Sequence, residues 1–261
     1  MSLPKPLTTQ YLRVFTHGTG EVSHRDSESI LSLVGVGDQR LSNAQLDDYH
    51  WKSRKDFFLT FPLRLQLEAR WEYEGDHPQG TSGFGLWNDP FMMTGWRWPS
   101  LPQAFWFLVG CPKSLLSLEP QHRHKSGLRA FQVNAWSLSF IKHSPLWLLR
   151  APFWNFKALK NKWLPKLCRT MELKETFLDG DLRQWQSYEI LWTAEALKFS
   201  VNGKIVQEAP CSIRSRLGLV IWLDNQYLYF DPWKKISWGA CVLTQRQALH
   251  IRNLSLETLP C

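Results

Sequence analysis

The stretch Gly80–Gly110, GTSGFGLWNDPFMMTGWRWPSLPQAFWFLVG, decides the fold. It holds two dense apolar runs, Phe84–Trp87 and Ala104–Val109. The polar turn Asn88-Asp89-Pro90 follows the first, and a Pro- and Trp-rich loop precedes the second. Runs that are apolar at nearly every position, rather than at alternate ones, predict strands buried on both faces. Such strands lie inside a sheet that the rest of the chain must cover on both sides.

The flanking segments supply that cover. Pro62–Tyr73 (PLRLQLEARWEY) has a clean period of two. Leu63, Leu65, Leu67, Ala69 and Trp71 share one face, and Arg64, Gln66, Glu68, Arg70 and Glu72 the other, which predicts a sheet with one buried and one polar side. Tyr11–Thr16 and Ser29–Val36 read as strands around the Gly18–Gly20 turn. Gly127–Phe140 is another, with Gln132, Asn134 and Trp136 on one face and Phe131, Val133 and Ala135 on the other. Strand signals return at Arg169–Leu178, Gln184–Trp192 and Ala196–Gln207. Within the last, Asn202-Gly203 predicts a tight hairpin, because both residues accept positive φ. Leu217–Leu223 is a buried strand closed by the polar Asp224-Asn225-Gln226-Tyr227, and Leu249–Leu256 is a final alternating strand. Ser42–Tyr49 reads as a polar loop. Its adjacent Asp47 and Asp48 would face opposite ways on a strand, which argues against a cooperative pair.

The period changes at Ser144–Cys168, where Leu146, Leu149, Phe153, Phe156 and Leu159 recur at helical spacing behind Pro145 and Pro152. Short strands at regular intervals with turn residues between them predict an all-β jelly-roll sandwich of two curved antiparallel sheets. A short helical insertion lies near 144–168, residues 1–10 form an N-terminal arm, and 11–261 form a single domain.

Composition narrows the function classes. The 261 residues carry a formal charge of +8 and contain 15 Trp. That much Trp exceeds the needs of packing and points to an interface, a stacking platform or a pocket wall. Lys157, Lys160, Lys162, Lys166 and Arg169 gather much of the positive charge into the helical segment. Basic residues are not interleaved with aromatics along a strand face, so nucleic acid is not an expected partner. Contact with an anionic membrane surface through 145–166 stays open. The five Cys, at 111, 168, 211, 241 and 261, are odd in number and widely spaced. They suggest neither a disulfide framework nor a zinc ribbon, and a reducing, cytoplasmic setting fits them. No segment has the length of a membrane span. No dinucleotide, Walker or His-Glu-x-x-His motif occurs, and His122-Arg123-His124 does not form a metal set, so no cofactor or metal is expected.

Three stretches together carry a family likeness: LEARWEY leading through GFGLWNDPF to LPQAFWFLVG, then WQSYEILWTAEALKFSVNGKIV, then GLVIWLDNQY. Between Leu63 and Tyr227 the chain resembles the family-16 glycoside hydrolases and the wider concanavalin A-like lectin/glucanase superfamily. The resemblance implies two curved sheets with a concave ligand face. The family's catalytic strand presents alternate carboxylates as nucleophile and acid/base. The corresponding strand here, Arg129–Trp136, has Gln132 and Asn134 instead, and neither amide can act as a nucleophile or general acid.

This departure favours a non-hydrolytic small-molecule enzyme of cyclase or isomerase type, folding an apolar or aromatic ligand in a Trp-rich pocket. Asp89, Asn134 and Asp224 are its expected catalytic groups. Trp87, Asn88, Trp106, Gln132, Trp136, Trp154, Trp222 and Asn225 are expected to bind the ligand. Asn88-Asp89-Pro90 and Asp224-Asn225 are equally well explained as turn and strand-end groups that hydrogen-bond the backbone. Two alternatives remain: a carbohydrate-binding protein or divergent family-16-like glycoside hydrolase, with Trp106, Trp136 and Trp222 stacking on sugar rings, and a peripheral lipid-binding protein. The oligomeric state is open, with a dimer allowed by sheet edges and surplus Trp.

Overall fold

A computed structural model describes residues 9–35, 37–90, 100–114, 127–134, 172–231 and 235–260. In chain order the strands are β1 (Arg13–His17), β2 (Gly20–Arg25), β3 (Glu28–Leu33), β4 (Asn43–Asp47), β5 (Leu63–Glu72), β6 (Thr81–Trp87), β7 (Gln103–Gly110) and β8 (Gly127–Asn134). They continue as β9 (Glu172–Phe177), β10 (Gln186–Trp192), β11 (Ala196–Val201), β12 (Lys204–Pro210), β13 (Gly218–Asp224), β14 (Gln226–Asp231), β15 (Lys235–Ala240) and β16 (Gln247–Thr258). Among the described residues the only helical turns are 3₁₀ turns at Thr9–Tyr11 and Arg54–Asp56. The expected helical insertion at 144–168, its basic cluster and the proposed membrane contact at 145–166 lie outside the described residues, as do residues 1–8 of the arm.

Two seven-stranded antiparallel sheets make a jelly-roll sandwich. The front sheet runs β1-β4-β13-β6-β7-β8-β9 and the back sheet β12-β11-β10-β5-β16-β3-β2. β6 and β7 lie side by side inside the front sheet, with Phe84 opposite Phe107 and Gly85 opposite Trp106. Their continuous apolar character follows from that placement, because both faces of the strands are covered. The core between the sheets takes Phe84, Leu86, Phe105 and Phe107 from the front. The back contributes Leu63, Leu65, Leu67, Ala69 and Trp71 of β5, as their alternation predicts. Trp71 buries its ring there and donates its indole N–H to Ser82 Oγ at 2.8 Å. The partner atom is essential, since an unpaired buried N–H costs about 1–3 kcal/mol. The β11–β12 hairpin turns at Asn202 (φ 51°) and Gly203 (φ 78°), the left-handed pair the sequence predicts.

Two segments differ from expectation. Asn43–Asp47, expected within a polar loop, is strand β4, paired with β1 and β13. Ala44 and Leu46 point into the core while Asn43, Gln45 and Asp47 point outward, so the polar side chains hide an ordinary alternation. The chain after β13 forms a separate two-stranded sheet, β14–β15.

Candidate functional site

The register of the front sheet assigns its outer face residue by residue. Trp87 of β6, Ala104 and Trp106 of β7, Phe131 and Val133 of β8, and Val220 and Trp222 of β13 lie on it. With Tyr49 and Phe57 they form a second apolar cluster, separate from the core. Trp106 is at its centre. Its ring stacks on Phe131 (centroids 5.8 Å apart, planes at 10°) and meets Trp87 at 5.8 Å and Trp222 at 5.6 Å edge to face. Trp106 and Trp222 are half-buried, while Trp87 and Phe131 are buried.

Gly83 and Gly85 make room for these rings. A Cβ on Gly83 would sit 2.1 Å from the Phe107 carbonyl oxygen and 3.0 Å from Trp222 Cη2. One on Gly85 would sit 2.2 Å from the Phe105 carbonyl oxygen and 2.9 Å from Trp106 Cδ1. The alternating glycines of Ser82-Gly83-Phe84-Gly85 thus put a flat floor on the outer face and Phe84 in the core.

Polar groups ring the cluster. The Tyr49 hydroxyl accepts from Trp87 Nε1 at 2.6 Å and from Gln45 Nε2 at 3.2 Å. Gln45 Nε2 also reaches Asp47 Oδ2 at 3.0 Å. Asp47 is fully buried, and its other oxygen accepts the backbone N–H groups of Tyr49 and His50 at 3.1 and 2.6 Å. Burial raises its pKa, against the lowering pull of the Gln45 hydrogen bond and of His50. On the opposite side Trp222 Nε1 donates to Thr81 Oγ1 at 3.2 Å, and Thr81 Oγ1 donates to Asp224 Oδ1 at 2.8 Å. Burial pushes Asp224 up to about 7, although hydrogen bonds from Thr81 and Gln226 oppose it. Across the sheet, buried Arg129 and Glu175 pair at 3.5 Å, and the guanidinium lies over the Phe177 ring. Among the described residues, the buried Trp106 indole N–H and Arg129 Nε find no hydrogen-bond partner.

The expected site residues divide into three groups. Trp87, Trp106 and Trp222 come together on the outer face, with Asp224 behind Trp222. Trp136 and Trp154 lie outside the described residues. The remainder sit elsewhere. Gln132 and Asn134 share a face, as the alternation requires, but it is the face turned between the sheets. Gln132 Nε2 donates to the Pro210 carbonyl at 3.1 Å. Asn134 accepts from Gln103 Nε2 at 3.0 Å and donates to Ser212 Oγ at 2.6 Å. Asn88 fastens the following loop: Nδ2 donates to the Leu101 carbonyl at 2.8 Å, and Oδ1 accepts from Gln103 N at 3.0 Å. Arg54 donates to the carbonyl oxygens of Asn88 and Asp89, each at 2.6 Å. Asp89 is buried in a left-handed conformation (φ 45°). Asn225 is fully buried and clamps three backbone groups of Ser42, Arg40 and Cys241.

Several outer-face residues escaped the sequence reading: Gln45, Asp47, Tyr49, Arg129, Phe131 and Glu175. The buried ion pair had one legible sign. Arg129 and Glu175 both interrupt otherwise apolar or alternating strands, the kind of break that marks a special position.

Neither a protein-family model nor a curated protein sequence matches this chain. Solved structures do share its architecture. An endo-β-galactosidase from Clostridium perfringens that releases GlcNAcα1-4Gal aligns over 95% of this chain with 11% identity and a TM-score of 0.49. This chain spans 60% of that enzyme's length. An endo-acting O-glycanase of the human gut microbiota aligns over 99% of this chain and 96% of its own, with 10% identity and a TM-score of 0.47. The Emp47p carbohydrate recognition domain aligns over 99% and 90%, with 10% identity and a TM-score of 0.46. At such identities the likeness is one of fold alone.

The expected cyclase or isomerase function is corrected by the geometry. Asn88, Gln132 and Asn134, expected as ligand-binding or catalytic groups, are engaged with the protein itself. The three solved structures described above are glycan-cleaving enzymes and a carbohydrate recognition domain.

Proposed function

We propose that this protein binds an oligosaccharide on the outer face of its front sheet and does not hydrolyse it. The observation that carries the reading is the half-buried Trp106–Trp222 pair, set edge to face over the glycine floor and backed by hydrogen-bonded Thr81 and Asp224. Sugar rings offer apolar C–H faces together with directional hydroxyls. Aromatic rings beside carboxylate and hydroxyl groups match both.

Carboxylate spacing supports binding over hydrolysis. The outer-face carboxylates among the described residues are Asp47, Asp224 and Glu175. Asp47 faces Val220, four residues from Asp224 on the adjacent strand, which separates their backbones by roughly 14 Å. Glu175 is five strands from Asp47, roughly 24 Å away, and four from Asp224. Retaining and inverting glycosidases need their carboxyl pair about 5–9.5 Å apart. On this reading the likeness to family-16 glycoside hydrolases is one of scaffold, with the catalytic pair replaced.

The test is Trp fluorescence titration against neutral and acidic oligosaccharide panels, with product analysis of the same mixtures. Saturable quenching without new reducing ends is expected, weakened at least ~10-fold by Trp222→Ala, the loss of about 1.4 kcal/mol of stacking. A flat titration across the panels would overturn the binding reading, and released sugar would overturn its non-hydrolytic part.

A further inference from the structure

Cys111 and Cys241 lie 130 residues apart in sequence, yet their sulfurs are 3.6 Å apart and both side chains are buried. Backbone bonds on both sides hold this approach in place. Cys111 follows β7 and donates its N–H to the Gly80 carbonyl at 2.9 Å. Cys241 follows β15 and donates its N–H to the Asn225 carbonyl at 2.6 Å, while Asn225 Nδ2 returns a bond to the Cys241 carbonyl at 2.9 Å. Gly80 and Asn225 are themselves in contact, since a Cβ on Gly80 would sit 2.4 Å from Asn225 Cα. The two cysteines are thus anchored to two touching residues, at the corner where β6 begins and β13 ends.

We propose that Cys111 and Cys241 are a covalent cross-linking site, joined as a disulfide when a low-molecular-weight disulfide such as oxidised glutathione is available. A bond needs the sulfurs about 2.05 Å apart, a closure of about 1.6 Å from their present separation. The hydrogen bond the two thiols share draws the Cys111 thiol down and pushes the Cys241 thiol up. Cys111 is therefore the attacking sulfur. Its thiolate displaces one glutathione thiolate and forms a mixed disulfide. Cys241, giving up its proton, then attacks the Cys111 sulfur and displaces the second glutathione. Two hydrogens and two electrons pass from the protein thiols to two molecules of reduced glutathione. The odd, scattered cysteine count concealed the pair, because only the fold brings positions so distant together.

The experiment uses the full chain in two arms: the reduced native protein exposed to oxidised glutathione, and the denatured reduced protein refolded in a glutathione redox buffer. Free thiols are alkylated in denaturant, and the chain is digested with trypsin without reductant. Mass spectrometry is expected to find residues 98–113 joined to residues 236–246, two hydrogens lighter than the separate peptides and lost on reduction. Cys211→Ser, remote from the pair, should leave the linked species intact, and Cys111→Ser should remove it. The oxidised wild type should melt at a higher temperature than the reduced form, with no such difference in Cys111→Ser. Recovery of Cys111 and Cys241 as separate alkylated or glutathionylated peptides in both arms would overturn the proposal, as would preferential linkage of either one to Cys168, Cys211 or Cys261.

Discussion

Replacing Asn225 by alanine would test the reasoning at its most constrained point. The side chain is fully buried. Its Oδ1 accepts from Ser42 N at 2.8 Å, and its Nδ2 donates to the carbonyl oxygens of Arg40 and Cys241 at 2.8 and 2.9 Å. Ser42 and Cys241 are each 1% exposed, so two backbone groups would lose their partner with no water to replace it. At about 1–3 kcal/mol for each orphaned group, with a smaller contribution from the Arg40 carbonyl near the surface, the loss is about 3–5 kcal/mol. Urea unfolding under reducing conditions reads it as a lower midpoint at an unchanged slope. Asn225→Asp sharpens the test. A carboxylate keeps the acceptor for Ser42 but sets an oxygen against two carbonyl oxygens, so this near-isosteric change should cost as much as alanine at pH 7. It should recover in part at acid pH, where the protonated carboxyl donates. A loss below about 1 kcal/mol for alanine, or an aspartate variant as stable as the wild type, would refute the clamp.

Two further outcomes follow from the same structure. Asp48 and Asp224 are both buried and pushed up to about 7, above the ordinary carboxylate value. The folded state then holds their protons more tightly than the unfolded chain. Stability is greatest below about pH 4 for these two groups and falls by about 1.4 kcal/mol per pH unit for each until pH 7. Chemical denaturation across that range should show the fall, and Asp224→Asn should remove its share; an unchanged slope in the variant would exclude Asp224 as the cause. Gly83→Ala would drive a methyl group against the Phe107 carbonyl oxygen, in the backbone of the neighbouring strand. We expect a loss of at least about 2 kcal/mol together with a shifted Trp emission, since β6 must move away from β7; a variant with native stability and spectrum would contradict the floor.

Alternation told which residues share a face but not which face meets the core. On β5 the two questions have one answer, because Leu63 through Trp71 alternate with charged or amide residues. On β8 they separate. Gln132 and Asn134 share a face with core residues Leu128 and Ala130, while Phe131 and Val133 join the aromatic cluster outside. The rule that polar residues face outward fails there because both sides of the front sheet are buried. The same burial hid β4, whose outward Gln45 and Asp47 bond to each other, to the Tyr49 hydroxyl and to local backbone N–H groups. The Asn202-Gly203 hairpin and the paired apolar runs of β6 and β7 were legible because each depends on local conformation or composition alone. The Trp cluster was legible in its members, while its polar ring depended on strand register, which no local pattern contains.

Asn88 and Arg54 bear on how this scaffold can be re-engineered. Asn88 bonds to Ser100, Leu101 and Gln103, and Arg54 grips the carbonyl oxygens of residues 88 and 89. Residues on both sides of the intervening stretch are thereby fixed at the rim of the front sheet. Loop closure costs only about 0.6 kcal/mol for each doubling of length once such ends are held. The chain between these two held ends is accordingly a place to graft sequences of other lengths while the sandwich is left alone.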